Sequence, residues 1–112
     1  MVSISVRGSI CEINILGFHK ILALKSKIQI KKQNIRSVML AEKGLRSPLL
    51  KMPGIRIPGL ITAGTYIGNG EKEFWDKGNK NQAIEIELEN EKYTKLVVDV
   101  ADPEAAIKLL KA

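Results

Sequence analysis

Short runs of alternating apolar and polar residues, closed by one amphipathic stretch, predict an α+β fold. The expected form is a bent antiparallel sheet or open β-barrel of about seven strands, capped by a C-terminal α-helix. Three observations carry this. Ala83-Ile84-Glu85-Ile86-Glu87-Leu88 alternates with the period of a half-buried strand. Turn residues at Gly68-Asn69-Gly70, Lys77-Gly78-Asn79-Lys80 and Glu89-Asn90-Glu91 separate strands too closely for crossover helices. Asp102-Pro103-Glu104 combines an N-cap acceptor, a proline suited to the first helical position and an acid at the positive end of the helix dipole.

The elements follow in order. Val2 to Val6 alternates, Gly8 interrupts, and Ile10 to Ile15 resumes with Ile13 and Ile15 on one face. Phe18, Ile21, Leu22 and Lys25 sit at helical spacing, which favours a short amphipathic helix over 16–24, with a strand over 21–24 as the alternative. Lys27-Ile28-Gln29-Ile30-Lys31 is a strand, Lys32-Gln33-Asn34 a polar break, and Ile35 to Leu40 the next strand. Glu42 to Met52 reads as a surface excursion. Two Pro-Gly pairs follow, Pro53-Gly54 and Pro58-Gly59, each placing a preset φ before a residue free to take positive φ. They read as two turns in a partly buried crossing. Thr62 to Ile67 is a strand with Gly64 at its centre, where a bulge or bend is expected. Lys72 to Trp75 returns from the Gly68–Gly70 turn, and Tyr93 to Val100 is the last strand and the richest in β-branched residues. Ala106, Ile107, Leu109 and Leu110 give the final helix its apolar stripe, with Lys108 and Lys111 at its negative end.

At 112 residues the chain is expected to be one domain, 1–112. A hydrophobic share of 45% and a charged share of 27% are those of a globular protein. One cysteine, Cys11, excludes an internal disulfide, and one histidine, His19, excludes a His-rich metal site. No cofactor-binding motif is present. No apolar run is long enough for a membrane helix and no secretory signal opens the chain, so a cytoplasmic protein, peripheral to the membrane at most, is expected.

The net charge of +6 is unevenly placed. Residues 1–40 hold seven cations against Glu12 alone, whereas 41–112 balance eleven cations with eleven acids. Lys27, Lys31, Lys32 and Arg36 span one hairpin and form a candidate site for phosphate groups or anionic lipid heads. The competing reading is a lysine-decorated solvent face. Nucleic acid is disfavoured, because no aromatics interleave with these cations for base stacking. Arg56, between the two Pro-Gly pairs, offers a planar fork for carboxylate or phosphate, or else ties the loop to its own carbonyls. Tyr66 lies close enough in sequence to line a groove with Trp75, or to pack in the core. Glu85, Glu87 and Glu89 share one face of a strand, which reads as a solvated row rather than a catalytic pair. Cys11 and His19 have no third group to orient them, so no catalytic residue is assigned and a non-enzyme is expected.

Several blocks, in this order, carry a resemblance over nearly the whole chain. Phe18 to Leu24 leads into Ile28-Gln29-Ile30 and Ile35-Arg36-Ser37-Val38. Ile57-Pro58-Gly59-Leu60 precedes Ala63-Gly64-Thr65, and then come Lys72-Glu73-Phe74-Trp75, Ile84 to Leu88, Tyr93 to Val98 and Asp102-Pro103-Glu104. The chain resembles the pleckstrin-homology (PH)-like barrel, and more narrowly a group of small bacterial and archaeal PH-like proteins. The resemblance implies a helix-capped barrel acting as a non-catalytic module. Its partner would be a protein or peptide, met at a sheet edge or at the Pro-Gly crossing through Arg56 and Tyr66. The alternatives are an anionic ligand on the basic hairpin and a small enzyme. An open edge would also allow a homo-oligomer.

Overall fold

The computed structural model describes residues 1–16, 27–41, 50–57, 61–68, 70–78 and 82–111, with the backbone alone for 50–57, 61 and 62. Among these, the strands are β1 (Val2–Arg7), β2 (Ile10–Ile15), β3 (Lys27–Lys31), β4 (Ile35–Leu40), β5 (Leu50–Ile57), β6 (Ile61–Gly68), β7 (Glu71–Lys77), β8 (Ala83–Leu88) and β9 (Lys95–Asp99), followed by helix α1 (Pro103–Lys111). The fold is therefore mostly β with one C-terminal helix. The helix expected over 16–24 falls outside the described residues, apart from Leu16, which follows β2 and is exposed.

The strands form two sheets. One runs β1-β2-β3, antiparallel throughout, and the other runs β4-β8-β9-β7-β6-β5. A parallel bridge from Val2 to Val100 joins them. No closed barrel forms among the described residues, since the larger sheet ends on β4 and on β5.

Alternation decides which way each strand faces. In β3, Ile28 and Ile30 are buried while Lys27, Gln29 and Lys31 are exposed. Cys11, Ile13 and Ile15 of β2 turn the same way, into a core shared with Phe74, Ile84, Ile86, Leu96 and Val98 of the larger sheet. Ala106 and Leu110 of α1 complete that core. The helix starts where the sequence places it, with the Ala105 amide donating to Asp102 Oδ1 at 3.1 Å.

Of three sequence expectations, two change and one, at Gly64, holds. First, Pro53-Gly54 is not a turn. It lies within β5, opposite β6, where the register shifts between Lys51 and Gly54. A bulge accommodates a proline that cannot donate to a regular ladder. Leu50 to Met52 thus belong to β5 rather than to a surface excursion, while 42–49 and Pro58-Gly59 lie outside the described residues. Second, Gly64 pairs with Gly54 at φ +121°, so the bend expected at Gly64 takes a backbone only glycine adopts readily. Third, the sheet is not wholly antiparallel. After β7 the chain skips one position, and β9 returns into the gap, parallel to β7 and antiparallel to β8. This explains the β-branched run in β9. A central strand is covered on both faces, and Val97 and Val98, which point oppositely, are both fully buried. Each such side chain contributes about 1.5–3 kcal/mol by leaving water.

Burial on both faces also takes polar groups inside. Asp76 projects toward the shared core, where the amino group of Met1 lies 2.7 Å from its Oδ2. On the opposite face of the larger sheet, Tyr66, Trp75, Ala83 and Val97 form a second cluster. Glu73 is buried beside them, accepting the Trp75 indole N–H at 2.9 Å.

Candidate functional site

The four cations of the basic hairpin separate in three dimensions. Lys27 and Lys31 stand on the outer face of β3. Lys27 lies 3.9 Å from Glu12, a carboxylate that Gln29 and Asn14 also hydrogen-bond. Those two hydrogen bonds, with Lys27 and Arg7 nearby, hold the Glu12 carboxyl below its ordinary range. Lys31 gives its backbone amide to Glu91 Oε2 at 3.1 Å. This face is therefore mixed in charge rather than purely basic.

Lys32 and Arg36 go elsewhere. The chain turns between the sheets through a 3₁₀ turn at Lys32–Asn34. Asn34 is buried there and pins the corner, with its Nδ2 donating to Glu91 Oε2 at 2.6 Å and its carbonyl accepting from the Glu89 amide at 2.9 Å. Lys32 donates its own amide to the Ser9 carbonyl at 2.7 Å. β4 then begins with an irregularity: Ile35 pairs with Leu88 and Ser37 with Glu87, so Arg36 is the extra residue of a β-bulge. A bulge on an edge strand re-aims the side chain that it leaves unpaired, and Arg36 is exposed.

These residues border a cleft of about 560 Å³. Lys32, Arg36 and Lys111 supply three cations, and Ser9 and Ser37 supply hydroxyls. Ile35, Val38 and Leu110 give it an apolar floor. Among the described residues no carboxylate lines it, and Glu87 borders it indirectly by accepting from Ser37 Oγ at 3.1 Å. The volume is that of a small-ligand or peptide site. Chemically, the cleft can hold a carboxylate or phosphate through charged donors.

Sequence reasoning reached Lys32 and Arg36 but missed Lys111. Its position in the last helical turn was explained by the helix dipole alone, and only packing of α1 beside β4 brings it to the cleft. Tyr66 is fully buried, its ring centroid 6.1 Å from that of Trp75, and so offers no groove wall. The backbone of Arg56 pairs with Thr62 in β5–β6, and its side chain lies outside the described residues. The glutamate row is not simply solvated. Glu85 is partly buried and bound to Lys95 at 3.0 Å, and only Glu89 of the three is exposed. Burial pulls the Lys95 ammonium down, but the hydrogen bond and charge of Glu85, helped by Glu73 and Glu87, outweigh it and leave its pKa raised.

Cys11 is fully buried, and burial pushes its thiol up despite the nearby charge of Lys32. His19 lies outside the described residues. Among the described residues no cluster could hold a metal ion, and no helix is long and apolar enough to cross a membrane. Comparison with family models, with curated proteins and with solved structures found no match to this chain.

Proposed function

We propose that the protein is a PH-like binding module that recognises an extended peptide or protein segment and carries out no chemistry of its own. The observation that carries this reading is the pair of edge strands, β4 and β5, on which the larger sheet ends. An edge strand presents N–H and C=O groups that a further strand can pair with, the basis of peptide recognition by strand addition. The order of elements, with a C-terminal helix packed on the core between two sheets, supports the PH-like reading. A cytoplasmic location, where extended segments of other proteins are accessible, fits this role.

Selection of displayed random peptides on the purified protein tests the reading. Enriched peptides should shift backbone amide resonances of β4 or β5 in NMR spectra. Failure to enrich any peptide, or shifts spread evenly over the outer face of β3, would contradict it.

A second reading, binding of a phosphate-bearing ligand, is favoured by the three cations around the cleft. It predicts salt-sensitive association with vesicles containing phosphatidylserine, and absence of sedimentation at low salt would dismiss the lipid form.

A further inference from the structure

The cleft beside β4 has an unusual outline for a strand. Side chains alternate between the two faces, so a pocket on one face meets every second residue. This cleft is lined by four consecutive residues, Ile35, Arg36, Ser37 and Val38. The bulge puts Arg36 out of register, but Ser37 and Val38 beyond it face opposite ways and both line the cleft, so it runs along the strand's edge. β8 occupies one edge of β4, and among the described residues no strand pairs with the other. Leu110 and Lys111 at the end of α1 and Lys32 before β4 also line the cleft. Beyond the cleft the same strand continues to Met39 and Leu40, which are 44% and 50% exposed. The edge thus has a basic end and an apolar end.

We infer that the free edge of β4 takes an extended peptide segment whose carboxylates sit among Lys32, Arg36 and Lys111 and whose apolar residues run along Met39 and Leu40. This rests on the reading of the protein as a peptide-binding module and names the edge, the partner chemistry and the direction of charge. The bulge at Arg36 interrupts regular pairing at the basic end, so charged side chains make the contact there. Regular strand addition is left to Val38–Leu40. A second copy of this chain is a poor occupant, because the β4 edge would meet its own cations and the chain carries +6 overall. A membrane is less suited than a peptide. Lys27 and Lys31 lie on a different face and Lys27 is near Glu12, so the cleft cations do not extend into a broad basic plane.

The test uses short synthetic probes on the full chain: two glutamates followed by alternating valine and threonine, the same peptide in reversed order, and lysine-for-glutamate counterparts of both. At least one acidic probe should bind, and the basic counterparts should not. Combined Lys32→Glu, Arg36→Glu and Lys111→Glu should weaken that probe about tenfold or more. Lys27→Glu with Lys31→Glu, which changes net charge at the outer face, should weaken it by less than about threefold. Trp75 emission reports whether each variant keeps its fold. If the triple variant does not, Arg36→Gln alone should still lose about threefold at an exposed site. Three outcomes overturn the inference. They are equal binding of acidic and basic probes, equal loss in the two sets of variants, and vesicle binding that depends on the three cations while no acidic probe binds. Displayed peptides that bind at β5 instead would overturn this assignment and leave the module reading standing.

Discussion

The indole Nε1 of Trp75 donates to Glu73 Oε1 at 2.9 Å, two residues away on the same face of β7, and both side chains are buried. The sheet thus satisfies its one tryptophan from within the same strand. Glu73→Ala leaves a buried N–H unpaired and should cost about 1–3 kcal/mol. Glu73→Gln keeps an acceptor and should cost less. Urea unfolding followed by Trp75 emission measures both, and equal stability of Glu73→Ala and the parent would contradict the buried bond.

Gly64 and Gly70 both have positive φ, +121° and +76°, but they differ in consequence. An added Cβ at Gly70 meets nothing within 4 Å, so Gly70→Ala should cost only the left-handed backbone penalty of about 1 kcal/mol. Gly64 lies within a paired strand at a φ further from the left-handed helical minimum, and Gly64→Ala should cost about 2–3 kcal/mol. Thermal unfolding of the two variants gives the order directly.

These two glycines also mark how far the sequence could be read. Period-two alternation was enough to find β1, β2, β3 and β8, and the Asp102-Pro103 pair found the start of α1, because those signals are local. Pro53-Gly54 carries the same local signature as a hairpin turn, yet the chain absorbs it as an irregularity inside β5, since pairing with β6 continues on both sides. The return of β9 between β7 and β8 has no local signature at all. The same holds for the site. Lys32 and Arg36 stood out as charges, but the bulge that re-aims Arg36 and the approach of Lys111 depend on pairing with β8 and on helix packing.

Cys11 is fully buried and its thiol is pushed up by that burial, so it should remain a protonated, inert thiol at neutral pH. A thiol-specific reagent at pH 7.5 should label the folded protein only at the rate of unfolding, and should label it promptly in urea. Rapid stoichiometric labelling of the native protein would show that β2 is accessible.

The Lys95–Glu85 pair gives stability a pH dependence at the alkaline end. The pKa of Lys95 is raised above its ordinary 10.5 in the folded protein, so its contribution is complete below that value and is lost as pH rises through the raised one. Glu85→Gln removes the dominant partner. The parent should exceed this variant by about 1 kcal/mol, unchanged from pH 7 to 9. The difference should narrow only above about pH 10.5. Denaturant midpoints across that range check it, and a gap that closes near neutrality would assign the effect to another group.

The central claim is that β4 carries the recognition edge, and isotope-filtered NMR of the protein with the acidic probe tests it most directly. The account predicts intermolecular contacts between the probe backbone and Val38–Leu40, with the glutamates near Arg36 and Lys111. Contacts confined to the outer face of β3, or to β5, would contradict it.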